Sequence, residues 1–170
     1  MSCKNKEIER VFIKQGEFPK DCKTETCKIS DIYFTKHIRV RREVTQYDLY
    51  PKSINYYITF KFNTSNKLVR KEYEYFLNEG IGKFLFKFVN KQMHKERTHY
   101  IFKGEHMESN RYLNVPYQQP LVEIEFDTEE GAKSFNKERF SVLGEEVTGM
   151  EIVRNYKLYN RCREGVKWHI

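Results

Sequence analysis

The sequence predicts a mainly antiparallel α+β fold whose sheet closes into a barrel, with a charged interior and helices packed outside. Three observations predict it. Period-2 alternation recurs along most of the chain, which is strand patterning. Each alternating stretch gathers charged side chains on one face and apolar ones on the other. Helical spacing is confined to a few short stretches, too few for helices to carry the fold.

At 170 residues the chain reads as one domain, 1–170, long enough to bury a core. Aromatic residues make up 15%, which argues against disorder. The net charge of +7 points to an anionic partner. No run approaches the length of a membrane span and the N-terminus lacks an apolar signal region, so the expectation is a cytoplasmic protein with no membrane partner. Cys3, Cys22, Cys27 and Cys162 show no paired metal-ligand spacing and read as free thiols.

In order along the chain, "EIERVF" puts Glu7 and Glu9 on one face of a strand, with Ile8 and Phe12 on the other. Residues 14–31, with Gly16, Pro19 and Asp21, read as a loop or loosely paired hairpin. Strands follow at about 32–42, 55–62, 67–76, 95–103, 111–115 and 121–127. Ile81, Phe84, Leu85 and Phe88 fall at helical spacing and predict a helix with that face buried. Asp127 or Thr128 caps a second helix, with Glu129 and Glu130 in its first turn, and a third covers about 150–163.

The strand faces repeat one theme. Arg39 sits with Arg41, Lys61 with Thr59 and Tyr57, and Arg70 with Glu72 and Glu74. Lys95 sits with Arg97 and His99, and Glu123 with Glu125. Like charges crowd one another, and a solvated sheet face has no need to pair them. The apolar faces also need cover, which outer helices can supply. A barrel satisfies both demands by turning the charges into its lumen. Six cations then meet six carboxylates in a half-dry space, a costly arrangement unless a ligand organises it. A divalent cation on the carboxylates, bridged to a polyphosphate on the Arg and Lys side chains, satisfies both sets.

These segments resemble the CYTH family, the triphosphate tunnel metalloenzymes. "EIERVF" is similar to the family's E-x-E-x-K signature, and "IRVRR", "ITFK", "RKEYE", "KERTHY" and "EIEF" resemble its later strands in the same order. "LGEEVTG" and "VRNYKLYN" resemble its C-terminal segment and closing helix. The resemblance implies an eight-stranded antiparallel tunnel that binds triphosphate with Mg²⁺ or Mn²⁺. By position it implies Glu7, Glu9, Glu123 and Glu125 as metal ligands, with Glu74 as a further one. Arg39, Arg41, Lys61, Arg70, Lys95 and Arg97 would hold phosphates, and Glu72 would orient neighbouring cations. Glu7, Glu9, Arg39, Lys61, Glu123 and Glu125 form the implied catalytic set.

Two positions depart from the pattern: Val11 stands where the signature has lysine, and Asn114 stands where many members carry Asp. Arg10 points to the opposite face and cannot replace that lysine. The leading expectation is metal-dependent hydrolysis of inorganic, nucleoside or organic triphosphate. Alternatives are cyclisation of ATP to cyclic AMP, or a non-catalytic module for triphosphorylated nucleotides or RNA 5′ ends. The expected partner is a triphosphate-bearing small molecule or nucleotide, with RNA 5′ ends as the further option, acting on a monomer or homodimer. Trp168 reads as a packing anchor for the tail.

Overall fold

A computed structural model describes residues 6–45 and 52–163; Cys3 and Trp168 lie outside the described residues. Among the described residues, nine strands and three α-helices follow in the order β1 (Glu7–Lys14), β2 (Lys23–Thr35), β3 (Ile38–Thr45), β4 (Ser53–Asn63), β5 (Val69–Leu77), α1 (Glu79–Phe88), β6 (Met93–Phe102), β7 (Glu105–Tyr112), β8 (Leu121–Glu125), α2 (Glu129–Ser134), β9 (Leu143–Glu146) and α3 (Asn155–Arg161). Every strand pairing among the described residues is antiparallel, and the ring runs β5-β4-β3-β2-β6-β7-β8-β1, closed by β1 on β5. The eight-stranded barrel is therefore as expected. Closure rests on two residue pairs, Glu7 with Arg70 and Ile8 with Val69. Further along the same edge of β1, the short strand β9 takes over at Phe12 and Lys14.

Several boundaries differ from those the sequence predicts. Residues 23–31 are strand, and the expected strand over 32–42 is two strands folded at Lys36 and His37. The β2 face that turns inward mixes Glu25 and Asp31 with Cys27 and Ile29, so no clean alternation shows in the sequence. β7 covers 105–112, not 111–115, because "EHMESNRY" has polar residues on both faces. Lys103 and Gly104, both at positive φ, turn β6 directly into β7, the backbone that a two-residue hairpin needs. The third helix is shorter than expected, a 3-10 turn over Glu151–Val153 followed by α3.

α1 forms where predicted but presents a different face. Ile81, Phe84 and Phe88 are more than half exposed, while Gly82 and Phe86 are buried against β4. The deciding contact is Gly82, which lies so close to the Tyr56 ring that a Cβ would overlap it. Only the face carrying a residue without a side chain can come this near the sheet. Phe86 then joins Ile32, Val40 and Tyr56 in a core on the outer side of the barrel. Asn78 caps the helix by accepting the Gly80 N–H through Oδ1 at 2.8 Å.

α2 also lies outside, with Ala132 packed on Ile8 and Val69 and the Thr128 hydroxyl accepting the Gly131 N–H. α3 does not follow the expected pattern. Its Leu158 and Tyr159 pack with Val11, Met93, Tyr112 and Leu121, which share the inward face with Glu9, Lys95 and Glu123. One end of the lumen is thus filled with apolar side chains and covered by α3. No helix among the described residues is long and apolar enough to cross a membrane.

Gly82→Ala should lower stability by about 1–3 kcal/mol, as expected for overpacking, although alanine is the better helix former by about 1 kcal/mol. Urea denaturation checks this, and an unchanged or raised midpoint would show that the Tyr56 contact does not seat α1.

Candidate functional site

The alternation of eight strands brings every predicted site residue to the inner wall. Glu9 faces Glu125 across β1 and β8, Val11 faces Glu123, and Glu7 faces Arg70. Arg41 sits between Asp31 and Tyr57, and Arg39 between Tyr33 and Thr59. Lys61 faces Glu72, Thr59 faces Glu74, and Lys95 faces Tyr112. A cavity of about 350 Å³ runs between these walls, lined among others by Glu7, Glu9, Arg39, Arg41, Lys61 and Glu123.

Each carboxylate-cation contact is specific. The Glu7 carboxylate takes Lys61 Nζ at 3.1 Å on one oxygen and Arg70 Nε at 3.2 Å on the other. Arg70 also pairs with Glu9. Arg39 Nη2 donates to Glu74 Oε2 at 3.1 Å and to the Thr59 hydroxyl at 2.9 Å. Arg97 donates to Asn110 Oδ1 at 2.9 Å and to Glu123 Oε2 at 3.0 Å, and pairs with Glu108 as well. Deepest of all, Arg41 holds Asp31 through two hydrogen bonds, 2.8 and 3.1 Å, with both side chains buried.

These pairings set the protonation states. Burial works against an ionised Glu7, but Lys61 and Arg70 outweigh it and hold its carboxyl well below the ordinary range. Burial raises Glu72 even against Lys61, and the neighbouring Glu7 charge adds to the rise. Lys95 differs from the other cations. It is fully buried, and its Nζ has no hydrogen-bond partner among the described residues. Burial, reinforced by the Arg97 charge, pushes its ammonium far toward the neutral amine. An unpartnered buried donor of this kind costs free energy until an anion arrives to accept from it.

Sequence reasoning missed four carboxylates on this wall. Glu25, Glu43 and Glu108 line the cavity, and Asp31 sits beneath it, joining the six already identified. Glu25 and Asp31 were hidden in the stretch read as a loop, and Glu108 in a strand polar on both faces. The wall therefore carries more carboxylates than cations, a surplus that suits uptake of a divalent metal. The donor set fits a hard cation, since carboxylate oxygens are the ligands Mg²⁺ and Mn²⁺ take. Among the described residues no three of them stand close enough to form a ready-made cage.

The two departures have separate explanations. Val11 lies at the floor of the cavity, packed into the apolar fill beneath α3. Asn114 does not line the cavity. Its Nδ2 donates to the Gln92 and Arg163 carbonyls and its Oδ1 accepts the His94 N–H, tying three backbone segments together. A carboxylate there could not make the two donations. His99 lines the cavity with its Nδ1 3.5 Å from Glu108, while the His94 ring bonds Ser30 instead.

Comparisons with solved structures agree with this architecture. The chain is similar to the crystal structure of the hypothetical protein NE1496, with a TM-score of 0.60 and 22% identity over 92% of this chain and 99% of that one. A structure described as the inorganic triphosphatase NE1496 gives 0.58 and 22% over 90% and 93%. A putative adenylyl cyclase from Hippeastrum, HpAC1, described as having a dominant triphosphatase activity, gives 0.51 and 12% over 75% and 82%. No protein-family model and no curated protein matches the chain. The fold is the eight-stranded antiparallel tunnel that the sequence resemblance implied.

Asp31 provides a pH test. Its carboxyl ordinarily titrates near 3.8 and is held below that in the fold, because Arg41 and Arg39 overcome the burial penalty. Its contribution to stability is therefore complete above pH 4 and lost as pH falls through and below that value. Asp31→Asn should lower stability near neutral pH by about 3–5 kcal/mol, by stranding a buried guanidinium, and should make the loss below pH 4 shallower. Urea denaturation from pH 7 to 2 checks both, and parallel acid slopes would remove Asp31 as the cause.

Proposed function

We propose that the barrel hydrolyses a phosphoanhydride bond of a triphosphate-bearing substrate with the help of Mg²⁺ or Mn²⁺. The observation that carries this reading is the convergence of Arg39, Arg41, Lys61 and Arg97, from three strands, on a cavity whose walls also hold surplus carboxylate, with Arg70 and Lys95 on the same inward faces of their strands. The names of its structural neighbours, an inorganic triphosphatase and a protein with dominant triphosphatase activity, support the same reading.

The residues would act by exchange of partners. Without substrate, Arg39, Lys61, Arg70 and Arg97 are neutralised by Glu7, Glu9, Glu72, Glu74 and Glu123, and Arg41 by Asp31. A triphosphate offers the same cations forked oxygen acceptors and draws them off. The carboxylates so released, Glu7, Glu9, Glu123 and Glu125 with Glu74 beside them, would hold the metal. The bound metal would polarise a phosphoryl oxygen toward attack by water. Arg39, Arg41 and Arg97 would balance charge on the departing phosphate as the bond opens. Lys95 would gain the acceptor it lacks, and with it the proton that burial disfavours. Glu72, oriented between Lys61 and Arg39, would keep both cations turned inward.

Glu123→Gln should reduce phosphate release more than tenfold while the circular dichroism spectrum stays unchanged, and EDTA should abolish release in the wild type. Product identification with tripolyphosphate, ATP, thiamine triphosphate and 5′-triphosphorylated RNA would separate hydrolysis from cyclisation. Val11 favours a second reading, capture without turnover, because it leaves the floor of the cavity apolar. Tight metal-dependent binding in calorimetry, with no product over hours, would select that reading.

A further inference from the structure

The cavity is electrically lopsided. At the mouth formed by the start of β1 and the end of β8, a space of about 460 Å³ is lined by Glu7, Glu72, Glu74, Glu125 and Asp127, with Lys6 the cation among them. At the other side, a window of about 210 Å³ opens between α3 and the turns joining β2 to β3 and β4 to β5. Its charged lining is Lys36, Lys61, Arg70, Arg154 and Lys157 against Glu151. Lys61 and Asn155 line both the window and the central cavity, so the two spaces adjoin. Arg154 has no carboxylate within ion-pair distance among the described residues, and Lys157 stands 3.6 Å from Glu151.

We propose that this window is a further phosphate subsite, and that Lys36, Arg154 and Lys157 receive the fourth and fifth phosphates of a linear polyphosphate whose first three occupy the central cavity. The proposal rests on the triphosphate reading of that cavity and extends it to chain length. A phosphate chain seated on Lys61 and Arg70 has two ways to continue. The acidic mouth repels it. The window supplies cations on three separate elements, the β2–β3 turn, the residue preceding α3, and α3 itself. Lys36 and Lys157 are exposed and Arg154 is half-buried, so the subsite can fill without moving the barrel.

Calorimetry with Ca²⁺ supplied as the divalent cation, and chromatography confirming that no chain is cleaved, tests this with inorganic tri-, tetra- and pentaphosphate at one ionic strength. The wild type should bind pentaphosphate at least fivefold more tightly than triphosphate. Arg154→Ala with Lys157→Ala should cut that gain below twofold and leave triphosphate affinity within twofold. Lys36→Ala with Lys157→Ala, both at exposed positions, should do the same if Arg154 proves necessary for folding. Lys83→Ala with Lys87→Ala on α1 should keep the full gain, which separates the window from general attraction of polyanions to a basic protein. Triphosphate binding without any gain for longer chains would overturn the subsite alone. A gain that survives the window variants, or is lost in the α1 control, would overturn it too. No binding of any chain would overturn both the subsite and the triphosphate reading.

Discussion

Charge compensation inside a closed sheet is the constraint on which the rest of this structure depends. An isolated charge in a half-dry lumen is unfavourable by several kcal/mol, so each strand's charges must be answered by those of the strands beside it. Arg41 is answered by Asp31, Arg70 by Glu7 and Glu9, Arg97 by Glu108 and Glu123. Register makes this work. A slip of one residue in any strand would turn its charges outward and its apolar side chains in, leaving the facing wall unpaired.

The same constraint makes the cavity receptive. A self-neutralised network is a set of ligand sites held shut by one another, and a polyanion with a divalent cation can replace both halves together. Lys95 is where the internal answer is incomplete, buried with no hydrogen-bond acceptor among the described residues. The surplus of carboxylate is the second incompleteness. On the proposed function, an anion would answer the one and a cation the other, as a metal-bound polyphosphate would supply.

Around this lumen the apolar parts do separate work. Phe12, Val122, Ile124 and Phe140 cover one outer flank of the barrel, and Ile32, Val40, Tyr56 and Phe86 another. The third cluster lies inside, where Val11, Met93, Tyr112 and Leu121 meet α3. This inner fill gives the cavity a floor. It also pushes the cationic window to the side of α3, where Lys36, Arg154 and Lys157 surround it.

Alternation by itself determined the class of fold and the inward set from Glu7 to Glu125, because a strand's period of two commits each charge to a face before any partner is known. It failed where inward positions were mixed, as in β2, and where both faces were polar, as in β7; Asp31 and Glu108 were lost with them. Tertiary structure alone decided which cation meets which carboxylate, since ring order and shear bring together residues far apart in the chain. It also decided the buried face of α1, through the close approach of Gly82 to Tyr56, and the inward seat of α3. Helical spacing marks an apolar stripe, but the surface that receives the helix selects the side that is covered.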